Sequence, residues 1–464
     1  MESRTGQSSD GKSPNFDQST LAGQVLADLA ISPTPYHAVA RAEELLVDSG
    51  FQTVDLDLPL PTQPGPYLVV DGGSLMAWIQ QPKHNGFTVV GAHTDSPNLR
   101  VKSRPDVTSA NFEQIGMEIY GGVLLNSWLD RGLGLAGRVS VATDEGVKER
   151  LFLDDRPLMC IPQLAIHLDR EIMSAGLKLD PQRHLTPFWS LANPDDDEAD
   201  TDGDEDGEND GRALRAHVAD LLDVTSDDIL AWDLMAFDTN GPELIGRNAD
   251  MFSSARIDNL LSSFCGVRAL VDLQAELSEN AAGPGLAKTP LLALYDHEEV
   301  GSTSATGAAS TSLGALLERV ALAEGASRSE YLAALNRSLV ISADGAHATH
   351  PNYKERHEPS HHIALNAGVV IKRNANQRYA TDAASEAFIV DVCRSAGVPL
   401  QFYIHRNDLP CGSTIGPITA AGLGVSTVDI GAPQLAMHSI RETAGVADIG
   451  HLSDTLGAAW RHGA

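Results

Sequence analysis

The chain has 464 residues, 42% of them hydrophobic, which is enough to bury the cores of two domains. It carries 63 Asp and Glu against 33 Lys and Arg, a formal net charge of −30, and so lacks the concentrated positive surface that nucleic acid requires. No apolar run reaches membrane length, and Cys160, Cys265, Cys393 and Cys411 lack metal-finger spacing, which predicts reduced thiols.

Residues 1–20 are polar and contain no signal-type apolar stretch, predicting a disordered tail on a cytoplasmic protein. Strand-like and helical segments then alternate through residues 21–98, and the apolar run 87–92 meets His93-Thr94-Asp95. Residues 99–246 read differently. Short β-type runs at 151–153 and 163–168, with several glycines, predict a β-rich domain inserted between the two halves, 21–98 and 247–464, of a catalytic α/β domain. Within it, residues 193–211 hold eleven acids and no Lys or Arg, the pattern of a self-repelling disordered loop. A calcium loop is disfavoured there, because Asp202 to Gly207 lacks the ligand spacing of an EF-hand.

From Ser254 the residues Ile257, Leu260, Leu261, Phe264, Val267 and Val271 keep helical spacing, with serine as the expected N-cap and Asp258 in the first turn. An acid there commonly does no more than complement the helix dipole. The apolar run 291–295 leads into Asp296-His297-Glu298-Glu299-Val300. Residues 338–343 lead into Asp344, and 425–430 into a loop carrying His438. A helix at 384–396, a strand at 401–405 and an amphipathic C-terminal helix with Val446, Ile449, Leu452, Leu456 and Trp460 complete the pattern.

Paired glutamates usually sit on solvated surfaces. Here the pair has company: four strand-like runs each end at an acid or histidine, and open α/β sheets place their crevice at the carboxyl ends of strands. His93, His438, Asp258, Glu299 and Asp344 make a nitrogen and oxygen donor set suited to zinc, cobalt or manganese. Five donors exceed one tetrahedral zinc and suit two ions about 3.5 to 4 Å apart sharing one carboxylate.

His93-Thr94-Asp95, Arg256-Ile257-Asp258-Asn259-Leu260, Asp296 to Gly301, Ser342-Ala343-Asp344 and Met437 to Glu442 together resemble the aspartyl aminopeptidase family of dinuclear zinc peptidases. The resemblance implies a mixed-sheet peptidase domain with an inserted domain that dimerises, a dimer-built dodecamer, and two Zn2+ per subunit, with Co2+ or Mn2+ as substitutes. It implies that His93 and Glu299 hold one zinc, that Asp344 and His438 hold the other, and that Asp258 bridges them. Glu298 would be the general base toward metal-activated water, and Asp95 would hydrogen-bond the far ring nitrogen of His93. His167 resembles a histidine that enters an active site across a subunit boundary; taken alone it reads as a core histidine on an apolar strand, or as third ligand of a mononuclear site with His93 and His438. Lys372 would pair with an acidic substrate side chain, although lysines more often face solvent, and His347 would line the pocket. The implied activity is release of single N-terminal residues from peptides, acidic ones included. The rival readings are a dinuclear amidohydrolase of N-acyl amino acids and a catalytically silent scaffold shell.

Overall fold

Four strands end beside one another because they are parallel neighbours. In the computed structural model, which describes residues 16–192, 212–280 and 285–462, strands Thr289–Tyr295, Phe87–His93, Leu339–Ala343 and Ser426–Gly431 lie adjacent in that order and run the same way. They form the centre of a nine-stranded mixed sheet, with Ser74–Gln80 antiparallel on one flank and Val369–Arg373 antiparallel on the other. Every residue of Phe87–His93 and Thr289–Tyr295 is buried, as required of strands covered on both faces.

Alternation along the strands decides which layer each side chain joins. Val90, Ala92, Leu292 and Leu294 pack with helices Leu21–Ala30, Pro35–Asp48, Ile257–Glu279, Ala383–Ala396 and Val446–Arg461. Val89, Leu291, Ala293 and Tyr295 face helices Ser312–Ala323, Arg328–Leu335 and Ile415–Leu423. The helix expected at 384–396 is Ala383–Ala396, opened by a reciprocal Asp382–Ser385 cap, and the strand expected at 401–405 is Leu400–Ile404. The C-terminal helix buries Ile449, Leu452, Leu456 and Trp460 as its periodicity requires.

Residues 98–238 supply a separate six-stranded antiparallel sheet, ordered Gly146–Met159, Leu133–Thr143, Ile229–Asp238, Asn98–Ser109, Phe112–Tyr120 and Phe188–Leu191. Leu214, Val218 and Leu222 of helix Arg212–Leu222 share its own apolar core. A third, five-stranded sheet is small and was not legible in the sequence. In it Met251–Ser254 and Pro433–Leu435 flank Glu442–Gly445, and Ala346–His347 pairs with Pro433–Leu435. It ties together the chain segments around Asp258, His438 and Asp344.

Three local expectations change. Residues 163–168 form no strand: the segment runs exposed over the surface, Leu164, Ile166 and Leu168 are 57%, 49% and 75% accessible, and among the described residues no strand pairs with it. His167 is therefore not a core residue. Ser254 ends a strand instead of capping a helix; the cap position is Arg256, in the left-handed region, with no side-chain cap bond. Residues 16–20, expected in the tail, are ordered: Phe16 packs on the core and Thr20 caps the first helix. The remainder of the expected tail and the acidic stretch 193–211 lie outside the described residues. Among the described residues no helix is long and apolar enough to cross a membrane.

Candidate metal centre

The strand ends bring His93, Asp258, Glu298, Glu299, Asp344 and His438 together. Three groups have donor atoms within 4.8 Å of one another: His93 with Asp258 and Asp344, His438 with Asp258 and Glu299, and His93 with Glu298 and Glu299. His93 Nε2 lies 3.4 Å from Asp258 Oδ1 and 3.6 Å from Asp344 Oδ1. His438 Nε2 lies 3.3 Å from Glu299 Oε2 and 3.7 Å from Asp258 Oδ2. The short distances thus divide the donors as His93 with Asp344 and His438 with Glu299, with Asp258 common to both. This differs from the partition implied by the resemblance: Asp344 and Glu299 both follow strands adjacent to that of His93, and it is the reach of His438 from its loop that pairs it with Glu299.

Each donor is aimed by its own piece of backbone. Glu298 and Glu299 sit in a 3-10 turn entered through His297, itself left-handed at φ 62°. The N–H groups at the start of such a turn have no partner within it, and both donate to Asp95, that of Glu298 to Oδ1 at 3.1 Å and that of Glu299 to Oδ2 at 3.0 Å. His93 Nδ1–H donates to the Asp95 backbone carbonyl at 3.0 Å, with the carboxylate Oδ1 at 3.3 Å, so Nε2 is left facing the cluster. Asp95 therefore orients both sides of the centre, a wider role than the sequence suggested. Asp258 does not continue the helix it begins: its φ and ψ, −81° and 108°, turn it toward the crevice.

Glu442 was missed. Fully buried beneath the centre, its Oε2 accepts the Asp258 N–H at 2.9 Å and its Oε1 the His438 N–H at 2.8 Å, so it braces two donors at once. The signal was available as an acid four residues after His438 inside an already recognised hexapeptide.

The electrostatics show why the cluster suits cations. Burial, then the neighbouring charge of Asp258, pushes Glu299 well above the ordinary carboxylate range. Glu298 is pushed up to about 8, first by burial and then, against the pull of His93, by Asp344, Asp95 and Asp258. Burial would also raise Asp95, but its bonds with His93, Tyr120 and the Glu299 N–H hold it below the usual range. Asp258 Oδ1 and Glu299 Oε1 are buried without a hydrogen-bond partner. A divalent cation satisfies such oxygens and neutralises the carboxylates, so the donor set fits zinc.

The other expected residues fall differently. Lys372 is 1% exposed, not solvent-facing; its Nζ donates to the carbonyls of Asp344 and Gly345 at 3.0 and 3.1 Å and lies 3.5 Å from Asp344 Oδ2. His347 is exposed, its ring 6.0 Å from that of Tyr403. His167 joins none of the donor groups found among the described residues, so the single chain does not assemble a three-histidine site.

Comparison with known proteins identifies the family. A sequence profile described as "Aminopeptidase I zinc metalloprotease (M18)" matches residues 29–458. A Streptomyces coelicolor protein called "Probable M18 family aminopeptidase 2" is 45% identical over 432 residues, 92% of this chain and 94% of that one. Its Mycobacterium leprae namesake is 46% identical over 433 residues, 92% and 95% of the two chains. Among solved structures, "Cryo-EM structure of the Ape4 and Nbr1 complex" superimposes with a TM-score of 0.88 at 35% identity, covering 95% of this chain and 85% of that one. "Structure of S. cerevesiae mApe1 dodecamer" gives 0.81 at 25% identity, covering 95% and 96%. These matches favour a peptidase over the amidohydrolase and the silent shell. The chain belongs to the aminopeptidase I zinc metalloprotease family, M18, and is a metallo-aminopeptidase.

Proposed function

We propose that His93 and Asp344 would hold one zinc ion and His438 and Glu299 a second, with Asp258 available to both and with Co2+ or Mn2+ able to replace zinc. The observation that carries this reading is that Asp258 is the one residue common to the His93–Asp344 and the His438–Glu299 groups. When bound, zinc supplies Lewis acidity that activates a water and polarises the scissile carbonyl of a peptide. Glu298 is required by neither group; its Oε2 stands 3.9 Å from His93 Nε2, close enough to take a proton from the attacking water and return it to the leaving amine. Asp95 keeps that carboxylate in place through the Glu298 N–H.

Lys372 is matched by Asp344 and faces Asp429 across the sheet. Its charge is thus already engaged, and we read the enzyme as accepting neutral as well as acidic first residues, with His347 at the mouth of the cleft. Residues 21–98 and 247–464 form the catalytic domain in this reading, and 99–246 the oligomerisation domain, which the separate sheet and core support. Exposed Leu164, Ile166 and Leu168 around His167 suit a contact with a second copy, and a dodecamer is the assembly named for one structural neighbour. His167 would then enter the partner's cleft. Four unpaired cysteines suit a cytoplasmic setting.

Elemental analysis is the direct test. The native protein should carry two zinc ions per chain, and Asp258→Ala should lose both; two ions retained in that variant would exclude the bridge. A panel of amino-acyl p-nitroanilides on the zinc-loaded protein reads side-chain preference, and a rate for acidic residues more than a hundredfold above leucine would refute the broad reading.

A further inference from the structure

The inserted sheet supplies no metal donor, yet it returns to the centre. The chain leaves the site at Asp95, enters strand Asn98–Ser109, and comes back along Phe112–Tyr120 with Asn98 paired to Tyr120. Its last residue and the turn that follows touch Asp95, Glu299 and His438. Tyr120 OH donates to Asp95 Oδ2 at 2.6 Å, and the ring is 7% exposed, with the Arg100 guanidinium 3.7 Å from its centroid. Gly121, at φ +75°, lies so close to Glu299 that an added Cβ would meet Glu299 Cβ at 3.0 Å. Gly122 presents its carbonyl to His438 Nδ1 at 3.0 Å, and an added Cβ there would meet the same nitrogen at 3.0 Å. The Leu124 N–H then donates to the His438 carbonyl at 3.1 Å.

We propose that Tyr120, Gly121 and Gly122 of the inserted sheet are positioning residues for the metal centre, setting the Asp95 carboxylate, the approach of Glu299 and the ring of His438 from outside the catalytic sheet. A carbonyl can only accept, so Gly122 selects the His438 tautomer with hydrogen on Nδ1 and leaves Nε2 as the donor toward Glu299 and Asp258. The Tyr120 hydroxyl occupies one side of Asp95 Oδ2 and so fixes the plane of the carboxylate that receives the Glu298 and Glu299 N–H groups. Gly121 and Gly122 are small because donors stand where their side chains would be.

The inference rests on the five side chains being metal donors, and the test separates the two. Full-length native protein, Tyr120→Phe and Gly122→Ala are each stripped, then titrated with zinc against a competing chelator; the cobalt-loaded forms are examined by visible absorption. Gly122→Ala should bind its weaker zinc ten- to a hundredfold less tightly, on the scale of lost partners of metal-bound histidines, and should show an altered cobalt spectrum. Tyr120→Phe, which removes one oxygen, should lower kcat about tenfold with KM within twofold, while the melting temperature of the stripped protein falls by no more than the few degrees expected of one hydrogen bond lost to a buried carboxylate. Native affinity, spectrum and kcat in both variants would overturn the proposal, as would a lower melting temperature with all three preserved, which is ordinary packing. Should Gly122→Ala fail to fold, Tyr120→Phe decides alone. A native protein that takes up no metal would instead defeat the donor assignment.

Discussion

Removing the metal should make stability fall as pH rises, and Glu298 sets much of the slope. In the folded chain its acid is pushed up from the ordinary 4.5 to about 8, chiefly by burial and then by the carboxylates around it. A group whose folded value is raised binds its proton more tightly in the native state, so its stabilisation is complete below 4.5 and is lost as pH climbs toward 8. The side chain is 16% exposed, so solvent screening is modest. At about 1.4 kcal/mol per tenfold in proton affinity, the displacement amounts to about 5 kcal/mol. With an unfolding entropy of roughly 2 cal/mol/K per residue, that is roughly 5 °C in Tm for a chain of this length. Glu299 and His93, both raised well above their ordinary values, push in the same direction. The assay is scanning calorimetry of chelator-stripped protein from pH 5 to 8.5, beside zinc-loaded protein and stripped Glu298→Gln. Zinc should protect increasingly as pH rises, and Glu298→Gln should flatten the stripped curve. A stripped Tm that is level or rises across this range, or a variant that keeps the whole slope, would refute the reasoning.

Glu298→Gln, zinc-loaded, should retain native metal content while turnover falls by about two to four orders of magnitude, as expected on losing a general base; full activity would remove it from the mechanism. Lys372→Met should lower the stability of the stripped protein by about 3 kcal/mol or more in calorimetry, because it leaves Asp344 and two carbonyls without their buried cation. His167→Ala should keep its zinc and lose kcat/KM, and mixing it with Glu298→Gln under subunit exchange should restore activity if His167 acts in the partner's cleft. No recovery despite proven exchange would confine it to its own subunit.

The convergence of the candidate donors was legible because parallel strands deliver their last residues to one edge: each apolar run followed by an acid or histidine marked a strand end without any knowledge of strand order. The division of donors was not, since it depends on which strands are neighbours and on how far the His438 loop reaches. Asp258 misled in a different way. Its helical spacing is real from Leu260 onward, but the entry is set by the left-handed Arg256 and by Glu442, whose partner lies far off in sequence. The exposed 163–168 run alternates like a strand, yet alternation states only that two faces differ; it cannot supply a neighbour to pair with. Tyr120 left no linear signal at all, because a tyrosine ending a strand is ordinary until Asp95 stands opposite.

Strand order also governs how this protein must be made. Phe87–His93 lies between Thr289–Tyr295 and Leu339–Ala343, so neither neighbour exists when it leaves the ribosome. At roughly 5 to 20 residues per second, the last partner follows about 250 residues later, on the order of 10 to 50 s after His93 itself. Throughout that interval a largely apolar strand, with His93 of the candidate metal centre at its end, waits unpaired, while the intervening antiparallel sheet can fold on local hairpins. The nascent chain should therefore depend on holding chaperones over this window, and premature termination before residue 343 should yield aggregates instead of a half-domain.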